Sequence, residues 1–557
     1  MLSSENRPVR LAAFVGVAVL TVSCTLFGGD DRTQRRREQP SRGGKLVVAW
    51  REPETIDPSR ARATDRGAML FLKQLCDTLV IADPVTGELK PGAAESWQIA
   101  PDAKKVTFKL RAMKFHNGRD VAAADYVYSI SRFVKRDAGS REAFLFEKVA
   151  GYPDAHEGRT PELAGAKAPD PTTLEIELAE PFAEFPAVMA HPGAGSAIPK
   201  EEVDKDAAAF AAKPACTGPY SPSAAWERGK DLTLQRAAGY KGGTTAYSRQ
   251  GTGYLDQIIF RPFADLEAGY NQLTKNTTDV AEVPNERLTQ ARQVEGRVES
   301  GHSGVVALLG LPVNKPPTDN REYRRALSLA IDRGEIINKV LAGSRGMPSG
   351  FLPRSTGPVS RDQVCKDTIR TKADAAKAKE ALKASGVNPG AGPINVYYNP
   401  DRRHEAWLSV IARQWQDNLG VTATLAARGS SDPNLDAYAA FLVDGADGPF
   451  RWAWLASYPS PESILGPTFV GGSLDNYSRF ASQEFDDLIK KARATVDDQA
   501  RRKAYVDAAS VLCRELPMVP VWFVEIHTAF RTGIVSNADQ RVDIFGDPIL
   551  RELGRRS

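Results

Sequence analysis

Between Ala93 and Phe133 the pattern of apolar and polar positions changes period. Val106, Phe108 and Leu110 alternate with Lys105, Thr107 and Lys109, the two-residue repeat of a strand buried on one face. Pro101-Asp102-Ala103 supplies a turn before it and Asn117-Gly118 another after it. Tyr126, Ile130 and Phe133 then recur at helical spacing, which predicts a helix. The same reading predicts strands at 45–50, 170–178, 254–265 and 517–523. Helices are predicted over 324–343, 377–386, 407–420, 484–494 and 501–516, the first three stopping at a glycine. Trp407, Ile411, Trp415 and Leu419 share one helix face, a spacing that marks core.

With 557 residues the chain exceeds one ordinary domain, and 42% hydrophobic content with mixed charge fits a soluble globular protein. A net charge of +4, with no basic stripe and interleaved aromatics, argues against nucleic acid. There is no GxSxG elbow and no P-loop, and the six histidines are scattered without metal spacing. Neither an enzyme nor a cofactor is therefore expected.

The amino terminus carries compartment information. Arg7 and Arg10 precede an apolar run, Leu11 to Val22, of roughly a dozen residues, too short to span a bilayer as a helix. It ends at Thr21-Val22-Ser23-Cys24, which resembles a lipoprotein signal although Thr21 stands where Leu is usual. The expectation is a signal peptide over 1–23, acylation (palmitate) at Cys24, and a polar tether over 24–44 holding the protein on the extracytoplasmic face of the cell membrane. An ordinary secretory peptide with an incidental cysteine is the alternative.

The string AESW, a Pro-Asp turn, the alternating strand, KFHNG and DYVYSISRF keeps its order over about forty residues. It resembles the signature region of the peptide/nickel-type (family 5) solute-binding proteins of ABC importers. One departure is Ala122, where relatives usually begin the helix with Thr; Asp120 is expected to cap instead. CTGPY (Cys216–Tyr220) is similar to the family's GTGPY, and Gly310–Asn314 to its GLxxN strand.

The resemblance implies an α/β, two-lobe periplasmic-binding-protein-like fold of the large class, with an extra subdomain at about 68–196. Lobe I would span 45–264, lobe II 265–516, and 517–557 would return to lobe I. Two hinge crossings are expected, near Arg261–Asp265 and Leu516–Val521. Setting Cys24 aside leaves Cys76, Cys216, Cys365 and Cys513. Three pairings are open, as are buried free thiols; Cys76–Cys216 and Cys365–Cys513 are preferred because each pair would lie within one implied lobe.

Relatives carry a tryptophan, then an acid that takes the α-ammonium of a peptide, then Tyr-Pro-x-Pro. Here Trp454 is followed by Ser457 and Tyr458-Pro459-Ser460-Pro461, so the acid is absent. Another acid (Glu54, Asp444 or Asp447) takes the ammonium, or the ligand has no free amino terminus there. Arg451 could neutralise a ligand carboxylate or form a structural ion pair. On a strand Trp452 and Trp454 face one side, toward cleft or core. Asn314 and His404 complete the candidate ligand-binding set. The expected function is capture of a peptide or peptide-like ligand and delivery to the transmembrane subunits of an ABC permease, by a monomer. Alternatives are an oligosaccharide, nickel chelate or haem as ligand, a surface sensor lipoprotein without a transport role, or an envelope hydrolase.

Overall fold

The computed structural model describes residues 40–240, 253–295, 298–359, 364–400, 404–429, 436–536 and 540–556. The expected signal peptide, Cys24 and most of the tether lie outside the described residues. Among the described residues eleven strands form the main sheet. Numbered in chain order they are β1 (Lys45–Arg51), β2 (Tyr220–Pro222), β3 (Leu232–Arg236), β4 (Gln257–Phe263), β5 (Val280–Glu282) and β6 (Val298–Gly310). They continue with β7 (Arg345–Gly346), β8 (Ile394–Tyr398), β9 (Ala423–Ala427), β10 (Phe450–Leu455) and β11 (Met518–Phe530). The spatial order is β9-β8-β10-β6-β11-β5-β1-β4-β3-β2, with β7 beside β11.

This order explains the two lobes. β6 and β11 are each 13 residues long and pair antiparallel along most of their length. At one end β11 takes β5, and β5 in turn pairs with β1, which belongs to lobe I. At the other end β6 takes β10, and midway along its length β11 pairs with β7, both of lobe II. A two-stranded ribbon therefore carries the chain across twice.

The first crossing is not where it was expected. β4 runs parallel to β1 in full register and does not leave lobe I. A helix (Leu266–Thr274) then returns the chain to β5, also parallel to β1. The strand signal at 254–265 opens a β-α-β unit, and the passage to lobe II comes later, along β6. The second crossing falls within β11, which extends well beyond the 517–523 run.

The ribbon is irregular where it crosses. Its register shifts between His302 and Val306, a bulge of the kind that bends a strand. Gly304 sits in the bulge at φ +80°, a conformation that favours glycine.

The extra subdomain is a four-stranded sheet, ordered Ala94–Ile99, Lys105–Leu110, Thr173–Glu177, Ala166–Asp170. Helix α1 (Arg66–Leu75) precedes it, and helix α2 (Ala123–Val134) packs Tyr126, Ile130 and Phe133 into its core. Asp120 does not cap α2; it binds Lys114 at 2.6 Å. Asp125 instead reaches back to accept from the Ala122 amide at 2.8 Å, and Arg119 grips its carboxylate with two nitrogens. A carboxylate inside the first turn satisfies a free amide and complements the helix dipole.

The predicted helix over 324–343 is broken. Arg321–Leu329 is helical, then Asp332 caps a new turn that passes into a wider coil at Ile336–Val340. Lobe II helices His404–Leu419 (with Trp407, Ile411 and Trp415 buried), Gln483–Ala494 and Asp498–Glu515 agree with the periodicity. Disulfides join Cys76 to Cys216 and Cys365 to Cys513. The subdomain also touches lobe II directly. Arg501 Nε donates to Glu184 Oε1 at 2.8 Å with both side chains buried, and the Ala183 amide donates to the Arg493 carbonyl at 2.7 Å.

Candidate functional site

A cavity of about 280 Å³ lies between the lobes. One wall is α1 with the turn after it, from which Arg66, Met69, Lys73 and Asp77 face the space. The opposite wall is the segment Leu455, Ala456, Ser457 and Pro459, where β10 ends. The ribbon forms the back through Ser303, Val305, Val524 and Ile526, and the C-terminal loop closes the side through Asp543, Ile544, Phe545 and Asp547.

Each wall follows from its local sequence. α1 starts at Asp65, whose carboxylate accepts from the Ala68 amide at 3.1 Å. It ends at Cys76, and the Cys76–Cys216 disulfide holds that end. Its apolar residues are buried in lobe I, so Arg66 and Lys73 turn outward, one helical repeat of seven apart. On β11, Val524 and Ile526 point one way into the cavity, and Glu525 points to the other face of the ribbon. The bulge at Ser303–Val305 sits directly behind the cavity, so the bending point of the ribbon also lines the site.

The charges on the α1 side are matched. Lys73 Nζ lies 2.6 Å from Asp543 Oδ2 and 2.7 Å from Asp547 Oδ2. Arg66 Nη2 binds Asp547 Oδ1 at 2.8 Å, and Arg551 Nη1 binds Asp77 Oδ1 at 2.9 Å. Arg551 also donates to the carbonyl of Lys73, tying the network to α1. Burial pushes the Asp543 carboxyl up, with Lys73 opposing. Burial acts the same way on Asp547, but Arg66 and Lys73 together hold it below the ordinary carboxylate range. At the rim, burial lowers His191 to about 4, so its ring is neutral at pH 7. Its Nδ1 accepts from the Gly193 and Ala194 amides, and Nε2 faces Glu142 Oε2 at 3.4 Å. Burial lifts Glu142 to about 7.

A second cavity of about 220 Å³ lies over the carboxyl ends of the parallel strands β1, β4 and β5. Trp50, Leu70, Phe263 and Leu266 make it largely apolar. Arg66 and Asp547 line both cavities, so their ion pair is the partition between them.

Of the seven residues expected from the sequence to bind ligand, Ser457 lines the first of these two cavities and the other six line neither. Trp452 is buried in the lobe II core against Tyr477, ring centres 4.7 Å apart. Trp454 packs on the same core and donates its indole N–H to the Ser463 carbonyl at 2.7 Å. Both indoles share one strand face, and that face is turned to core. The Arg451 carbonyl accepts from the Tyr438 hydroxyl at 2.9 Å, with its side chain half-buried on lobe II. Glu54 is exposed beside Arg62 at 3.5 Å. Asn314 is exposed in the turn after β6. His404 opens its helix and accepts from the Trp407 indole at 3.1 Å. Of the acids weighed as substitutes, Asp444 is exposed and Asp447 accepts from the Tyr397 hydroxyl at 2.5 Å.

The acids that do line the cavity, Asp77, Asp543 and Asp547, were not foreseen. Lys73 and its two carboxylates are 470 and 474 residues apart in sequence, so no local spacing could reveal the cluster. Among the described residues no group of three or more His, Cys, Asp or Glu is placed to hold a metal ion, and no helix is long and apolar enough to cross a membrane.

The chain is 26% identical over 488 residues to the periplasmic oligopeptide-binding protein OppA of Escherichia coli (strain K12), covering 85% of each. It is 26% identical over 478 residues to the dipeptide-binding protein DppE of Bacillus subtilis (strain 168), covering 82% of this chain and 83% of that one. Among solved structures it matches the unliganded open form of the periplasmic murein tripeptide binding protein MppA with a TM-score of 0.79 at 22% identity, covering 93% of this chain and 99% of that one. Against Haemophilus influenzae OppA in complex with the peptide RPPGFSPFR the TM-score is 0.66 at 21% identity, covering 93% and 100%. The model of bacterial extracellular solute-binding proteins, family 5 Middle, matches residues 88–476. With that match over more than half its length, the chain belongs to the family 5 bacterial extracellular solute-binding proteins.

Proposed function

We propose that this protein captures a peptide or peptide-like ligand in the cavity between its lobes and hands it to the transmembrane subunits of an ABC permease. The observation that carries the reading is the shared cavity. Its walls come from α1 and the C-terminal loop on one side and from Leu455–Pro459 on the other, and the ribbon that joins the lobes is bulged directly behind it. A rotation at the bulge closes those walls on a guest, and only the closed form contacts it from both sides. The curated relatives named for oligopeptide and dipeptide binding favour a peptide over an oligosaccharide, nickel chelate or haem. Paired charges suit binding without reaction, because each carboxylate is engaged in an ion pair.

The Cys24 lipid anchor, the extracytoplasmic face of the cell membrane and the monomeric state belong to the same reading. The apolar run ending at Cys24 supports the first two. The experiment is mass spectrometry of ligand carried through purification, followed by thermal-shift titration with a pooled tri- to pentapeptide library. A peptide in the carried fraction and a rise in unfolding temperature are expected. A sugar or chelate in that fraction, with no shift from any peptide, would replace this reading.

A further inference from the structure

We infer that the two cavities are adjoining chambers of one site, and that the preferred ligand is an extended peptide with apolar side chains two residues apart, one in each chamber. The inference rests on the peptide-capture reading and narrows it.

The second cavity is built for apolar surface. Its walls are β1, α1, the turn after β4 with the helix that follows, β5, the far end of β11 and the C-terminal loop, all of lobe I. It therefore exists before the lobes close. Phe263 and Leu266 are half-buried there, and among the described residues neither joins any of the packed hydrophobic cores. Large apolar side chains left outside every core gain stability when a guest covers them. The small residues Ala49, Ala264, Gly269 and Ala281 line the same space and leave room for that guest.

The polar groups of this chamber are engaged. Trp50 Nε1 donates to the Gly67 carbonyl at 3.0 Å, and Asp265 Oδ1 accepts from the Ala268 amide at 2.7 Å. Glu282 Oε2 lies 3.8 Å from Arg66 Nε, and Arg51 is exposed to solvent. The first cavity offers a comparable surface through Met69, Leu455, Val524 and Ile526.

The partition sets the spacing. Arg66 Nη2 binds Asp547 Oδ1 at 2.8 Å, and Arg66 also donates to the Phe545 carbonyl at 3.4 Å, so the wall between the chambers is one ion pair thick. In an extended peptide residues i and i+2 point the same way about 7 Å apart, whereas adjacent residues point to opposite faces. An i, i+2 pair can straddle such a wall and fill both chambers; an i, i+1 pair cannot.

The test is calorimetry of the purified protein with the pooled tri- to pentapeptide library and with three pentapeptides, Ala-Leu-Ala-Leu-Ala, Ala-Leu-Leu-Ala-Ala and Ala-Leu-Ala-Ala-Ala. The first is expected to bind about tenfold or more tightly than either of the others, the factor that covering a second leucine side chain supplies. Ala264→Trp, which sets an indole at an exposed position on the second chamber, should bring the first peptide to the level of the third. Equal binding of the first two peptides, tight binding that survives Ala264→Trp, or binding confined to library members without the apolar pair would overturn this inference and leave peptide capture standing. No binding by any of the three or by the pooled library would overturn peptide capture itself.

Discussion

Replacing Lys73 by methionine removes the cation that two buried carboxylates share while keeping most of the side-chain stem. Lys73 is 19% exposed, Asp543 10% and Asp547 6%, so solvent screens the network weakly. Truncating one member of such a buried cluster costs about 3–5 kcal/mol, because Asp543 is left without its cation while Asp547 keeps Arg66. The loss must depend on pH. Asp543 already titrates above its ordinary value, and without Lys73 it rises further. A carboxyl whose folded value is raised favours folding below its unfolded value, and that support is lost as pH rises through the folded one. The deficit should therefore be larger at pH 8 than at pH 5. Urea unfolding of both proteins at the two pH values measures it, and Lys73→Met/Asp543→Asn should recover much of the loss. A deficit below about 1 kcal/mol at pH 8, or one that grows toward acid, would refute the reasoning.

Further predictions concern the hinge, the rim and the braces. Gly304→Val places a branched side chain at φ +80°, where its Cβ would meet Leu455 at 3.2 Å and Ser355 at 3.3 Å; ligand affinity should fall with modest loss of stability, read by calorimetry and thermal melts. Glu142→Gln should stabilise the protein above pH 7, by up to about 3 kcal/mol, because burial holds the native carboxyl at about 7; the gain should shrink toward pH 5 in urea titrations. Cys76→Ser with Cys216→Ser opens a closure of 140 residues and should cost about 2–5 kcal/mol, read by denaturant titration. Glu184→Gln leaves buried Arg501 without its partner from the subdomain and should loosen the subdomain from lobe II, seen as faster amide exchange at Ala183–Phe185.

What could be read in advance was what depends on local spacing. The strand Lys105–Leu110, the helix carrying Tyr126, Ile130 and Phe133, and the Trp407 helix all follow from two- and 3.6-residue repeats. The first crossing was misplaced because β4 looks the same whether its neighbour is β1 or a strand of another lobe; pairing is non-local. Asp120 and Asp125 are both close to the start of α2, and only the reach of each side chain decides which one serves it. Ser457 was identified by a departure from a pattern and does line the cavity. The Lys73 network was invisible because it joins α1 to a loop at the far end of the chain.

Small-angle scattering of ligand-stripped protein, alone and saturated with its tightest-binding peptide, tests the claim that the lobes shut on a guest about the β6–β11 ribbon. The radius of gyration should fall on saturation, and Gly304→Val should reduce the change. An unchanged profile at full occupancy would mean that the cavity takes its ligand without motion, contradicting the account.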